Sequence, residues 1–221
     1  MTDPIPRLTA EALAPVRGGL LSPGLRRDLA DLNTQYLHLG LRPGLDDDPR
    51  FAWSAAVRHC LLEADADTLA RVAAAPFTLF DLLFPAVPAA TVTNRVEDSQ
   101  LASGPGSSLG QCESFAHQAA FLARRLAEGD PLTSRVALGL SPDAQAWLVD
   151  CRPSQLAELA RNPRVIRPRW RLHARFWDTL VGAARRDSPT ALQWAYCIGL
   201  CLIGATDGAS ATAPPRRRAR R

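Results

Sequence analysis

Three times in this 221-residue chain a Ser-Pro step stands directly before a run of residues with helical character: Ser22-Pro23, Ser141-Pro142 and Ser188-Pro189. A serine hydroxyl accepts a hydrogen bond from an orphan N–H of a first helical turn. Proline lacks that N–H and loses nothing where none is needed. The first step leads into LRRDLADLNTQYLHLGL, whose Leu25, Leu29, Leu32, Tyr36 and Leu39 alternate steps of four and three and so line one helix face. That helix is predicted to stop between Gly40 and Gly44, before the acidic turn GLDDDP at 44–49. A second helical block is predicted over about 50–75, ending at Pro76. The apolar FTLFDLLFP at 77–85 reads as either a short strand or a packed turn.

Composition agrees with helices. Ala and Leu dominate, and aromatic residues make up only 6%, whereas strand-rich domains lean on aromatic and β-branched side chains. An all-α fold class is predicted. Residues 86–110 are rich in Pro, Gly, Ser and Ala without helical periodicity, and read as a linker.

After them the pattern begins again. Phe115, Ala119, Leu122 and Leu126 repeat the four-three-four spacing, and the acidic turn EGDP at 128–131 follows as DDDP did before. LARVAAAP at 69–76 and LAELARNP at 156–163 hold matching places, with Tyr36 aligned to Phe121, so an internal duplication is inferred. The organisation expected is a helical unit at 22–85, a linker at 86–110, a second helical unit at 111–206 and a disordered basic tail at 207–221.

Charge is unevenly spread. The basic residues are all arginine, and the net charge is +4; without the five arginines of the tail PPRRRARR the remainder stands at −1. Yet residues 161–186 hold eight arginines against one acid, Asp178. Within RVIRPRWR, alternation of Arg167, Arg169 and Arg171 in an extended segment is expected to place all three on one side. The helix after it is expected to put Leu172, Phe176, Leu180 and Ala184 on one stripe, and Arg171, Arg175, Asp178 and Arg185 on another. Arginines interleaved with Trp170, His173 and Trp177 suit contact with a phosphate backbone. Pairing with the acids of the first half (Asp46, Asp47, Asp48, Glu63, Asp65, Asp67), or a solvated face without a role, remain open from sequence. The tail can likewise add phosphate affinity or simply favour solubility.

Little points to catalysis. The four histidines are dispersed, with His38 expected to pack beside the apolar stripe, and no nucleophile-elbow, P-loop, zincin or dinucleotide motif occurs. SGPGSSLG at 103–110 lacks the lysine and preceding strand of a phosphate loop, and Asp46, Asp47 and Asp48 read as a turn or helix start rather than a cation site. No enzyme activity, catalytic residue, metal or cofactor is expected. Five cysteines (60, 112, 151, 197, 201) without a CxxC pair or a secretory signal read as reduced, mostly buried thiols of a cytoplasmic protein. The most apolar run, ALQWAYCIGLCLIG at 191–204, is short for a membrane span and reads as a core or interface helix.

In order along the second half stand FLARRLAEGD (121–130), ALGLSPDA (137–144), PSQLAELARN (153–162), RVIRPRWR (164–171), RRDSPTALQWAYCIGLCL (185–202) and RRRARR (216–221). This succession resembles the FlhD family of flagellar transcriptional activator subunits, and DLNTQYLHLGL (31–41) is similar to that family's opening helix. The resemblance implies two FlhD-like helical units in one pseudo-dimeric chain, a possible homo-oligomer, an FlhC-like partner subunit and binding of double-stranded DNA. Partner contact would fall near Asp130, Val136 with Ala137, and Asn162. DNA contact would fall near Ser188, Tyr196 and Cys197, joining Arg164, Arg167, Arg169, Arg171, Arg175, Arg185 and Arg186. The family's aromatic-Arg pair is replaced here by Val136-Ala137, and this chain is about twice the family's length. The function expected is therefore a DNA-binding transcriptional regulator acting with partner subunits. The alternative is a helical protein–protein adaptor, or a secretion-linked regulator, without direct DNA contact.

Overall fold

The computed structural model describes residues 21–45, 48–84, 108–171 and 173–211. The predicted linker lies outside them save for its last residues, as do Asp46, Asp47, Leu172 and the arginines of the tail. Among the described residues the chain is mostly helical, with one two-stranded sheet.

Helix α1 spans Pro23–Gly40, and the Ser22 hydroxyl accepts from the Leu25 N–H at its start. Leu25, Leu29, Leu32, Tyr36 and Leu39 are all buried, as their spacing predicts. Burying such side chains contributes roughly 2 kcal/mol each. Helix propensities differ by only tenths of that per residue, so packing rather than propensity holds α1 in place. The single block expected over 50–75 is instead three pieces: a 3-10 turn at Pro49–Phe51, α2 at Ala55–Leu62 and α3 at Ala66–Ala73. Asp48, Ser54 and Asp65 each cap a separate start, and every cap opens a new helix axis. Strand β1, Phe80–Leu82, settles the 77–85 run as a short strand within a packed turn.

The second half opens with four helices and a strand, with a full helix where the first half has its 3-10 turn. Helix α4 (Ser108–Gly129) is followed by α5 (Pro131–Leu138), α6 (Pro142–Asp150), α7 (Pro153–Arg161) and strand β2 (Ile166–Pro168). Asp130 caps α5 through the Thr133 N–H, and Ser141 caps α6 through the Ala144 N–H. The predicted α4 stripe of Phe115, Ala119, Leu122 and Leu126 is buried. The alignment of Tyr36 with Phe121 is not reproduced: Tyr36 is inaccessible, whereas Phe121 is 60% exposed. Helices α8 (Ala174–Arg185) and α9 (Pro189–Ala211) have no counterpart among the described residues of the first half.

Residues of both halves share one hydrophobic core. Helix α8 packs on α2 and α3, α4 packs on α1, and α9 covers α8. Tyr36 sits at the centre, its ring 5.0 Å from Phe80 and 5.9 Å from Phe115 of α4, with Phe51 and Trp53 at 5.4 Å. Its hydroxyl donates to the Arg50 carbonyl at 3.0 Å. Buried Asn33 donates to the carbonyls of Ala73 and Phe77 and accepts from the Leu79 N–H, fastening α1 to the approach to β1. The strands run antiparallel, with Phe80 opposite Pro168, Asp81 opposite Arg167 and Leu82 opposite Ile166.

Candidate nucleic-acid and partner interface

The arginine-rich segment leaves the end of α7, forms β2 and continues into α8. Its arginines do not form one strip. Arg167 and Arg169 both meet Asp81 of β1: the Arg167 Nε lies 3.2 Å from one carboxylate oxygen and the Arg169 Nε 2.7 Å from the other. Arg169 is only 3% exposed and also donates to the Leu138 carbonyl. It cannot reach an external phosphate, so the placement of Arg169 at a DNA surface is corrected.

Arg167 and Arg169 do share one side of the chain, since both reach Asp81, but at Arg169 that side is covered by Leu138 and Gly139. Strand β2 ends at Pro168, and Trp170 adopts a left-handed backbone with φ of 53°. Strict alternation is lost there, and Arg171 turns out to solvent. The Arg169 guanidinium lies 5.5 Å from the centre of the Trp170 ring and closes over Gly139, where a Cβ would stand 2.8 Å from its Nη2. Burial lowers the Arg169 pKa, and Asp81 opposes that shift.

Trp170 and Trp177 are also buried rather than offered to a ligand. Trp170 packs 5.1 Å from Phe77 and 4.3 Å from Phe176, and Trp177 has no exposed surface. His173 is exposed at the start of α8. The amphipathic reading of α8 is met: Phe176, Leu180 and Ala184 are buried, whereas Arg171, Arg175, Asp178 and Arg185 are exposed. Arg185 donates to the Cys60 carbonyl at 3.2 Å and lies 3.8 Å from Glu63. Arg164, Arg171, Arg175 and Arg186 are exposed, and their side chains make no ion pair with a carboxylate among the described residues. Tyr196 is partly buried and its hydroxyl donates to the Arg71 carbonyl at 3.1 Å; burial raises its pKa.

Two of the partner positions belong to one helix, Asp130 at the start of α5 and Val136 within it, and the third, Asn162, follows α7. Asp130 accepts from both the N–H and the hydroxyl of Thr133, which lowers its pKa. It lines a cleft of 460 Å³ between the halves, with Ser22 and Asp28 from α1's side and Arg125 from α4. Val136 is half-buried on α5, and the neighbouring Ala137 is buried. Asn162 is exposed after α7, its side-chain oxygen accepting from the Arg164 N–H.

Two further expectations are corrected. His38 is exposed on α1 rather than packed, and lines a groove with Gln35, Arg42 and Gln111. Cys197 and Cys201 are exposed and Cys60 is half-buried, so only Cys112 and Cys151 match the reading of buried thiols. Asp81 was missed by sequence reasoning. Its signal was a lone acid within an apolar run, which in a folded core calls for a cationic partner. No helix among the described residues is long and apolar enough to cross a membrane. Comparison with models of known families, with characterised proteins and with solved structures found no match.

Proposed function

We propose that this chain is a cytoplasmic regulatory subunit built from two FlhD-like units and that it binds duplex DNA together with an FlhC-like partner subunit. Four exposed arginines without a carboxylate partner among the described residues, Arg164, Arg171, Arg175 and Arg186, carry the reading. They are free to neutralise phosphates, whereas Arg167 and Arg185 would first share their charge with Asp81 and Glu63. The pseudo-dimeric arrangement is supported by the similar element order and by the sheet. Asp81 and Arg167 face each other across the antiparallel pair, which takes one strand from each half. In this reading the cleft at Asp130 receives the partner subunit.

The burial of Arg169, Trp170 and Trp177 favours the second reading, a protein–protein adaptor. A salt titration of binding to duplex DNA separates the two. Replacing Arg164, Arg171, Arg175 and Arg186 by Gln in a chain lacking residues 212–221 should weaken binding and reduce the slope of log K against log salt by about 3 to 4. Unchanged binding, or none by the tail-less parent at low salt, would leave the adaptor.

A further inference from the structure

Helix α9 carries a face that the other described residues leave uncovered. Ala195, Gly199 and Ile203 point inward, and a Cβ at Gly199 would stand 2.5 Å from the Phe77 ring. On the opposite side Trp194, Cys197, Cys201 and Gly204 are exposed, Trp194 by 67%. Their steps of three, four and three are those of a coiled-coil seam. No acidic or basic residue stands between Asp187 and Asp207. Among the described residues of this stretch Thr190 and Gln193 are the exposed polar ones; the other exposed residues are apolar, and an apolar face calls for cover.

We propose that this seam is closed by the same face of a second copy of the chain, the two helices running antiparallel about a two-fold axis level with Gly199. That axis sets Trp194 against the partner's Gly204 and Cys197 against the partner's Cys201, so the large side chain meets the smallest one and two thiols meet each other. Neutrality decides the occupant. A phosphate backbone or an acidic segment gains no ion pair on this face, whereas a second copy lays neutral surface on neutral surface without like-charge cost. The strip from Thr190 to Gly204 is about 22 Å long, and two helices packed along it bury on the order of 800–1,000 Å² in total. Stable complexes bury about 1,200–2,000 Å², so the dimer is weak and forms reversibly with concentration.

Sedimentation velocity on the full chain, from about one micromolar to a few hundred micromolar, should pass from monomer to dimer. Trp194→Glu should stay monomeric throughout with an unchanged circular dichroism spectrum. Monomer at every concentration, or a dimer unaffected by Trp194→Glu, overturns the proposal. The register is tested in a Cys60→Ser background by copper–phenanthroline-catalysed air oxidation, in which each linked thiol gives up one proton and one electron, the electrons passing to dissolved oxygen. Cys197→Ser and Cys201→Ser chains mixed together should yield a disulfide-linked heterodimer, and neither should link alone. Linkage within either single preparation, or none in the mixture, overturns the antiparallel register.

Discussion

Asp81 is the residue on which two arginines depend. Because Arg169 is almost wholly buried, its guanidinium needs a carboxylate, and Asp81 at 2.7 Å is the one it has. Asp81→Ala should therefore destabilise the fold by about 3 kcal/mol or more, read as a shift of the urea midpoint, since an unpaired buried charge is left behind. Arg167→Ala should cost less than about 1 kcal/mol by the same measurement, because that side chain is half in water. The two caps Asp65 and Asp130 supply a pH dependence. Hydrogen bonds from Thr68 and Thr133 lower both carboxyl pKa values. A folded-state pKa below the unfolded one gives stability that is whole above the unfolded value and is lost as pH falls through the folded one. Unfolding midpoints should thus drop below about pH 4, less steeply in the Asp65→Asn, Asp130→Asn double variant.

Helix α9 is seated by close contact of backbone with ring. Gly199→Ala adds a methyl group where the Phe77 ring already stands, so the ring or the helix must shift, costing about 1–3 kcal/mol in thermal or urea unfolding. Elements of this kind were the most legible in the sequence. The stripes of α1 and α4, the three Ser-Pro starts and the amphipathic α8 follow from local spacing and capping alone. The division of 50–75 into three pieces was less so, because Ser54 and Asp65 read as ordinary helix residues until the turns before them are seen. The arginine strip was misread because the side shared by Arg167 and Arg169 is covered at Arg169 by Leu138 and Gly139, a contact distant in sequence, and because Trp170 takes a positive φ that side-chain pattern does not signal. The exposure of Cys197 and Cys201 was hidden for another reason: α9 carries apolar residues on both sides, so periodicity does not tell its inner face from its outer one.

At the scale of the whole molecule the two halves are clasped rather than strung together. Strand β2 pairs with β1, α8 lies on α2 and α3, and Asp28 of α1 meets Arg125 of α4 at 2.7 Å. A single protease nick within residues 85–107 should therefore leave two fragments that co-elute in size-exclusion chromatography and separate only in denaturant. Separation under native conditions would mean that the covalent connection, not the packing, holds the halves together. The one pairing that sequence reasoning offered as the rival of DNA contact, arginines of the second half with acids of the first, is realised at Asp81 and Glu63, though Asp81 was not among the acids considered.

The facing of Asp81 and Arg167 has a further consequence. One carboxylate of the first half answers two guanidinium groups of the second, at 2.7 and 3.2 Å, so the seam keeps one positive charge in excess. An acid brought to it from outside would meet that excess at the half-exposed Arg167, not at the buried Arg169.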